Sequence, residues 1–445
     1  MSSDAGPQAG PRQSGLVVIM SSFIGSAIEW YDFFLYGTVA ALVFNQLFFP
    51  TFDPLIGTLA AFSTYAVGFV ARPLGGVVFG HFGDRIGRKS MLMLTLLIMG
   101  GSTVLIGLLP TYAQVGFWAP VLLTVLRLFQ GFALGGEWGG AVLVAVEHAP
   151  DGRRGFFGSW PQTGVAAGLI LASLAVSAFS TLPEEAFLSW GWRIPFVMSA
   201  LLILLGLFVR LKLAETPDFL KARRSGGDEK LPLVTVLREA LRNVLLVIGA
   251  RLGELTLFYL VAVFTLSYGT QALGMPRASL LNGLTVAATV ALVMTPLAGM
   301  LADRVGHRRL YMTGAVAMLA FAFPFFWLLD TGSTLAAQAA IVIGIGFVYP
   351  LMYGPQAALF SSLFNARVRY TGISLGTQVG SIIGGGLSPI LATALLAQFG
   401  ASWPIALYAA SMALLALVAT WAMGRGDEAT ARTPLMAEPV APARR

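Results

Sequence analysis

One short charged motif occurs twice in this chain, 219 positions apart when Asp84 is compared with Asp303. The first copy spans residues 80–89 and the second spans residues 299–309. Both follow the pattern Gly-x-apolar-x-Asp-Arg-x-Gly, and further basic residues come directly after it. Each copy lies in a short gap between long apolar segments. A charged turn that recurs half a chain apart indicates a protein made of two halves of similar architecture.

The composition is that of a membrane protein. Hydrophobic residues make up 56% of the chain and charged residues only 11%, and the mean hydropathy is +0.78. A soluble globular protein carries about 25% charged residues, so a soluble enzyme is excluded. The chain has no cysteine, which excludes disulfides, thiolate metal sites and cysteine nucleophiles. We therefore expect neither enzyme activity nor a bound cofactor or metal.

Apolar stretches long enough to cross a bilayer core, which takes about 20 residues each, recur along the whole chain. Their approximate spans are 16–42, 55–79, 90–109, 115–146, 155–180, 192–213, 243–270, 280–302, 309–329, 334–362, 371–397 and 402–423. The sequence thus predicts an all-α membrane protein with twelve transmembrane helices in two pseudo-symmetric six-helix bundles. The expected parts are a tail (1–15), a first bundle (16–213), a linker (214–242), a second bundle (243–423) and a second tail (424–445), which is expected to be disordered.

The distribution of Lys and Arg predicts the orientation. With the N-terminus inside, most of the 28 basic residues fall in cytoplasmic segments, whereas the outer loops hold only Arg193 and Arg277. Both termini are therefore expected in the cytoplasm. The net charge of +7 is explained by this topology and requires no nucleic-acid partner.

Several further runs carry a resemblance to a known family. They are EWYDF (29–33), RPLGG (72–76), RLFQG (127–131), GGEWGG (135–140), YGPQAA (353–358) and RVRYTG (367–372). Together with the repeated loop, they are similar to the metabolite:proton symporter branch of the major facilitator superfamily. The resemblance covers the whole chain except its two tails. It implies a secondary transporter of the inner membrane that alternates access, uses the proton as its coupling ion and functions as a monomer.

The resemblance favours uptake of a small organic acid, such as a shikimate-like compound or a keto- or dicarboxylate. One alternative is proton-coupled uptake of a zwitterionic osmolyte such as proline or betaine. The osmosensing carriers of that kind have a long C-terminal coiled coil, whereas this tail is short and without heptads. Export of metabolites or drugs is a second alternative. No G-x-x-x-x-G-K-[ST] loop is present, so we expect no ATP-driven transport.

Charged residues inside the predicted spans are the candidates for proton coupling. A charge at a helix centre costs about 2.5–3.5 kcal/mol on insertion scales, so each one requires an explanation. Glu29 and Asp32 are three positions apart and share one face of the first span. Burial and mutual repulsion both favour the neutral form of one carboxyl group, as a proton carrier requires. Glu254 is a third candidate, although Arg251 lies three positions before it and is able to neutralise it.

Arg127 is the candidate for binding an anionic substrate. It lies about 12 residues into its predicted span, or about 18 Å along the helix axis. Gln130 shares its helix face. A guanidinium group binds a carboxylate through two parallel hydrogen bonds, although pairing with Glu29 or Asp32 is an alternative role. The other polar residues expected to line the site are Trp30, Gln162, Arg251, Tyr353, Gln356 and Gln378.

The repeated loops predict a cytoplasmic gate in which opposite charges pair across helices when that side is closed. The alternative is that they fix the topology alone. In the second half, Ser362 stands where the first half has Glu147, seven residues before an arginine, so we expect an asymmetric gate. The expected gate residues are Arg72, Asp84, Arg85, Arg88, Glu137, Glu147, Arg154, Asp303, Arg304, Arg308 and Arg369. For Arg72 and Glu137, which lie nearer the cytoplasmic ends of their spans, a packing role is the alternative.

Overall fold

The computed structural model describes residues 15–50, 54–179, 181–212, 215 and 232–424. The predicted tails, apart from residues 15 and 424, and most of the predicted linker therefore lie outside the described residues. Twelve long helices are present in the described part of the chain. They are α1 (Gly15–Val39), α2 (Pro54–Ile86), α3 (Arg88–Leu108), α4 (Trp118–Glu147), α5 (Arg154–Phe179), α6 (Glu184–Leu211), α7 (Leu241–Ala272), α8 (Arg277–Val305), α9 (His307–Asp330), α10 (Thr334–Ser361), α11 (Arg369–Phe399) and α12 (Trp403–Ala422).

Eleven of these helices are long and apolar enough to cross a membrane, and α2 is the remaining long helix. In the first half α1 packs on α5, α2 on α4, and α3 on α6. In the second half α7 packs on α11, α8 on α10, and α9 on α12. The equivalent pairs are therefore the same in both halves. The predicted all-α membrane fold with two pseudo-symmetric six-helix bundles is confirmed.

Each repeated loop is a helix hairpin that turns on one glycine. Helix α2 ends at Ile86 and α3 begins at Arg88, and α8 ends at Val305 and α9 begins at His307. The connecting residues have positive φ angles, 129° at Gly87 and 100° at Gly306. A side chain is strained in this region of backbone conformation, which explains why each copy of the motif has glycine there.

The two halves meet at the end of the bundle that carries these hairpins, which we name the motif face. The main contacts between halves are α5 with α8 and α2 with α11, again equivalent pairs. A Cβ atom on Gly155 would lie 2.5 Å from the Gly299 carbonyl oxygen, and one on Gly80 would lie 2.8 Å from the Thr371 Cα. Because backbones touch at both seams, the motif face is closed in this structure.

Two boundaries differ from the sequence-based expectation. Helix α4 begins at Trp118 rather than near residue 115, because a short helix Tyr112–Val115 ends at Gly116 with a φ of 58°. Part of the predicted linker is also helical, as Pro232–Glu239 forms a short helix before α7. Its Val236 is fully buried, and the helix packs against α11 and α2. This segment is therefore part of the packed structure of the motif face.

A π-helical segment interrupts the first helix of each half. Residues Ala40–Phe44 continue α1, and residues Leu260–Phe264 lie within α7. The two segments begin 220 positions apart, close to the spacing of the repeated loops. Segments of this kind occur frequently at functional sites.

The glycine hairpins give a first prediction. Gly306→Ala is expected to lower the free energy of unfolding by about 1–3 kcal/mol, because alanine is strained at a φ of 100°. Gly101→Ala is the matched control, since Gly101 is helical and a Cβ there would meet nothing within 4 Å. The control should not destabilise the protein. Denaturant titration of both variants in detergent micelles measures the difference, and equal stabilities would contradict the proposed strain.

Candidate functional site

Helix α4 provides a buried arginine that is held by aromatic rings and one amide. Arg127 donates to Gln130 Oε1 at 3.1 Å, and Gln130 donates to Thr103 Oγ1 on α3 at 2.8 Å. The Arg127 guanidinium lies 4.3 Å from the Tyr36 ring centroid and 5.0 Å from that of Phe33, a cation–π arrangement. Both aromatic residues belong to α1, so α1 and α4 together position this cation.

Asp32 lies on the same stretch of α1 and is completely buried. Its Oδ1 accepts a hydrogen bond from Ser199 of α6 at 2.6 Å, and its Oδ2 has no hydrogen-bond partner in the described residues. No ion pair among the described residues includes Asp32. We refer to Asp32, Thr103, Arg127, Gln130 and Ser199 as the Arg127 cluster.

The structure shows how Arg72 packs. The sequence left it either in the gate or in packing, and its guanidinium lies 4.7 Å from the Phe33 ring centroid and 4.0 Å from that of Phe69. It is 14 residues before the end of α2, or about 21 Å from the motif face along the helix. Phe33 is therefore flanked by two guanidinium groups, those of Arg72 and Arg127.

Glu137 also lies away from the gate, in a second buried cluster formed by four helices. Its Oε1 pairs with Arg210 of α6, and its Oε2 accepts a hydrogen bond from Thr95 of α3. Arg210 also donates to the Leu92 carbonyl oxygen, and its Nη2 lies 3.7 Å from Glu29 Oε1. We name Glu29, Thr95, Glu137 and Arg210 the Arg210 cluster.

Sequence reasoning missed Arg210. It lies next to the last residue of α6, where an arginine is typical of the basic ends of spans. The structure instead leaves it 2% exposed, with its side chain directed into the bundle. The available signal was its position inside the predicted span 192–213. In that half the three acids within spans outnumber the two recognised arginines, Arg72 and Arg127.

A third polar network joins the two halves. Trp138 of α4 donates to Gln162 Oε1 on α5 at 2.6 Å, and Gln162 Nε2 donates to Gln356 Oε1 on α10 at 3.1 Å. Arg251 of α7 donates to the same Gln356 oxygen at 2.5 Å and to Glu254 at 2.8 Å. The expected residues Gln162, Arg251 and Gln356 thus meet in one network.

Tyr353 belongs to this network through its backbone. Its carbonyl oxygen accepts from Gln162 at 3.2 Å, and its ring stacks on Tyr349 at 4.6 Å. Two other expected lining residues lie elsewhere. Trp30 packs on Phe34 of its own helix, and Gln378 donates to the Gly135 carbonyl oxygen at the α4–α11 contact.

The repeated aspartates bind helix N-termini of the opposite half. Asp84 accepts hydrogen bonds from the backbone N–H groups of Tyr370 and Thr371 at the start of α11, at 3.3 and 3.0 Å. Asp303 accepts from Gly155 and Phe156 at the start of α5, at 2.6 and 2.9 Å. In both cases the carboxylate satisfies N–H groups that a helix leaves without partners, at the positive end of its dipole.

This arrangement differs from the expected pairing of opposite charges across helices. Arg85 contacts His81 of its own helix at 3.3 Å, and Arg304 is exposed. Arg308 donates to the carbonyl oxygens of Thr420 and Trp421 within its own half, at 2.9 and 2.6 Å. Because the backbone N–H groups at the helix N-termini lie directly opposite the two aspartates, the aspartates bind the backbone rather than Arg85 or Arg304.

One ionic contact does cross the seam between the halves. Glu147 Oε1, at the end of α4, pairs with Arg88 at 3.1 Å and with Arg369 of α11 at 3.0 Å. In the second half Ser362 donates to the Leu359 carbonyl oxygen of its own helix at 2.7 Å. Arg154 forms no ion pair among the described residues. The ionic contacts at the motif face therefore differ between the two halves among the described residues.

Glu215, at the start of the predicted linker, adds a further contact at this face. Its carboxylate accepts hydrogen bonds from the backbone N–H groups of Arg88 and Lys89 at 3.1 and 3.3 Å. The connection between the halves thus begins by capping α3.

The sequence profile described as Major Facilitator Superfamily matches residues 22–385. The chain belongs to the major facilitator superfamily. It is thus a multi-pass membrane transporter and not an enzyme, as predicted. The resemblance to the metabolite transporter branch is confirmed by relatives at high identity, which are described next.

Among these relatives, the "Shikimate transporter" of Escherichia coli (strain K12) is 45% identical over 394 residues, or 87% of this chain and 90% of that protein. The "Inner membrane metabolite transport protein YhjE" of the same strain is 43% identical over 92% of this chain and 94% of its own. The "Proline/betaine transporter" of Salmonella typhimurium is 34% identical over 94% of this chain and 84% of its own.

A solved structure shows the same fold as this major facilitator. The proton:xylose symporter XylE bound to 6-bromo-6-deoxy-D-glucose superposes with a TM-score of 0.74. The match covers 92% of this chain and 95% of that one at 17% identity. At this identity the similarity concerns the fold alone.

The gate of this major facilitator gives a second prediction. Glu147→Gln removes the carboxylate shared by two arginines, of which Arg88 is completely buried. Leaving a buried charge without its partner costs about 3–5 kcal/mol, so the free energy of unfolding should fall by that amount. Ser362→Ala, at the equivalent position, should change it by less than about 0.5 kcal/mol. Similar losses in both variants, measured by denaturant titration in micelles, would contradict the asymmetry.

Proposed function

We propose that this transporter takes up a small organic acid together with a proton by alternating access. One observation carries the proposal: the Arg127 cluster combines a fixed guanidinium with a completely buried carboxyl group, Asp32, that has only a hydroxyl donor as its partner. A buried carboxyl group without a cation favours its neutral form, and a nearby anion strengthens that preference. Asp32 therefore suits the binding of a proton, and Arg127 suits the binding of an anion that is transported with it.

Arg127 is proposed to bind the substrate carboxylate, with Gln130 as a second polar contact. The Phe33 and Tyr36 rings fix the plane of the guanidinium group. A fixed planar group gives the carboxylate both orientation and charge through two parallel hydrogen bonds. A proton on Asp32 removes the negative charge that would otherwise repel the arriving substrate.

Asp32 is favoured as the proton carrier over the other two candidates. Glu29 belongs to the Arg210 cluster rather than to the Arg127 cluster, where the substrate is proposed to bind. Glu254 is paired with Arg251 at 2.8 Å, and a carboxylate paired with arginine is stabilised in its charged form. Asp32 has no such partner among the described residues, so its protonation changes the local charge most.

The network of Gln162, Gln356 and Arg251 is proposed to couple binding to the reorientation of the two halves. It joins α5, α7 and α10 across the interface between halves. An arriving carboxylate competes for Arg251 and so weakens the bond to Gln356. The halves correspond to residues 16–213 and 243–423, and opening would proceed from the motif face.

We assign the motif face and both termini to the cytoplasmic side of an inner membrane. The monomer is proposed as the functional unit. The basic loops support this orientation. The named substrates of the relatives, shikimate and proline or betaine, share a carboxylate group. An Arg127 site fits that shared group, and the higher identity to the shikimate transporter favours an organic acid over an osmolyte.

Uptake by proteoliposomes tests this function. With an inward proton gradient, the reconstituted protein should accumulate a labelled carboxylate from a panel that includes shikimate, α-ketoglutarate, citrate, proline and betaine. Collapse of the gradient by an uncoupler should abolish accumulation and leave equilibration. Accumulation of betaine alone would favour the alternative hypothesis of osmolyte uptake. No accumulation of any compound under the gradient would refute proton-coupled uptake.

Two substitutions test the roles within the Arg127 cluster. Arg127→Lys should reduce carboxylate uptake by about 10- to 100-fold, because one charged hydrogen bond worth about 1.5–3 kcal/mol is lost. Arg309→Lys, at an exposed position, is the matched control. Asp32→Asn should abolish the response of uptake to the pH gradient while substrate exchange at equal pH persists. Unchanged uptake by Arg127→Lys, or a gradient response in Asp32→Asn, would remove that residue from its role.

A further inference from the structure

The Arg210 cluster contains two carboxyl groups and one guanidinium group, all within the membrane bundle. Glu29 is 2% exposed, Glu137 is 0% exposed and Arg210 is 2% exposed. With both glutamates ionised the cluster would carry one uncompensated negative charge. Burying an unpaired charge is strongly unfavourable, so the cluster is neutral only with one bound proton.

The hydrogen bonds indicate which carboxyl group holds that proton. Glu137 accepts from Arg210 through one oxygen and from Thr95 through the other, which satisfies it as a carboxylate. Glu29 Oε1 makes no hydrogen bond within the described residues, and it lies 3.7 Å from the guanidinium group. The Glu29 and Glu137 carboxyl groups approach the same nitrogen, Arg210 Nη2. Two buried carboxyl groups at one guanidinium nitrogen repel each other unless one of them carries a proton.

The cluster lies nearer to the motif face than the Arg127 cluster does. Thr95 precedes Thr103 by eight residues, or about 12 Å along α3, and Glu137 follows Gln130 by seven residues, or about 10 Å along α4. Glu29 and Asp32 are three residues apart on α1, about one turn. Helix α1 therefore connects the Arg127 cluster with the Arg210 cluster through two carboxyl groups that lie one helical turn apart.

Few other ionisable groups face this pair. They are Asp32 on α1, Arg210 on α6 and the hydroxyl of Tyr370 on α11, which donates to the Gly136 carbonyl oxygen at 2.7 Å. Arg154 is the only charged residue of α5, and Arg88 and Lys89 are the only ones of α3; all three lie at the motif-face ends of their helices. Tyr370 belongs to the seam of α2 and α11, so opening of that seam uncovers the Glu137 side of the cluster.

We propose that Glu29 and Glu137 share one proton beside Arg210 and form a second proton-binding site, through which the transported proton leaves. When the motif face opens, the Glu29 carboxyl group gives its proton to water that enters beside Glu137. The proton on Asp32 then moves to the Glu29 carboxylate, which leaves Asp32 ionised and the pair protonated again. Arg210 is a positioning residue that contacts both carboxyl groups. The proposal rests on proton coupling through Asp32.

Infrared difference spectroscopy of the purified full chain tests the bound proton directly. A C=O stretching band of a protonated carboxyl group should be lost in Glu29→Gln and should persist in Asp32→Asn and in Glu185→Gln. Glu185 is exposed at the other end of the bundle and serves as the control. An unchanged band in Glu29→Gln would overturn the proposal, whether or not the wild type transports protons.

Transport measurements in proteoliposomes test the exit step. Glu29→Gln and Glu137→Gln should each lower accumulation driven by a proton gradient at least tenfold, with a much smaller loss of substrate counterflow at equal pH. Gradient-driven accumulation at the wild-type level in either variant, or an equal loss of both activities in both variants, would overturn the exit role. Absence of gradient-driven accumulation in the wild type would instead refute the proposed function, and the infrared result would still decide whether Glu29 holds a proton.

Discussion

The cost of burying charge in a membrane determines how the ionisable side chains of this transporter are arranged. A charge at the bilayer centre costs about 2.5–3.5 kcal/mol on insertion scales, so buried arginines and carboxylates are expected in pairs. Arg251 with Glu254 and Arg210 with Glu137 follow that rule. Asp32 departs from it, since a serine hydroxyl is its hydrogen-bond donor. The proposed role of Asp32 in proton coupling rests on this exception.

The same principle separates two kinds of contact at the motif face. Asp84 and Asp303 bind backbone N–H groups at helix N-termini, interactions worth about 0.3–1 kcal/mol each from the helix dipole. Glu147 instead forms ion pairs with two arginines, of which Arg369 belongs to α11. An ion pair therefore joins the first half to α11, whereas no ion pair among the described residues crosses the α5–α8 seam.

Sequence analysis predicted the fold because its signals are local. Hydrophobic length defined the helices, and the repeated Asp-Arg turn defined the two halves. It could not predict that the aspartates bind backbone groups, since the partners of Asp84 lie 286 and 287 residues away. The position of Asp84 and Asp303 in equivalent turns was nevertheless enough to place both at the seam.

Charges near helix ends were the main source of error. A long side chain such as that of Arg210 reaches into the bundle or out to the interface, and hydropathy does not distinguish the two directions. The positions of Arg72 and Glu137 along the chain left a gate role and a packing role open, and the structure shows packing against Phe69 and pairing with Arg210. Hydroxyl partners such as Ser199 carry no sequence signal, because serine is common in apolar helices.

The π-helical segments of α1 and α7 rotate the outer part of each helix relative to the inner part. One additional residue in a helical turn shifts the phase of all following side chains by about 100°, given 3.6 residues per turn. The side of the helix to which a residue is assigned by its position before Ala40 therefore cannot be extrapolated to residues after Phe44. The same is true on either side of Leu260–Phe264. Because the shift recurs at equivalent positions, the outer parts of α1 and α7 are rotated in the same sense in the two halves.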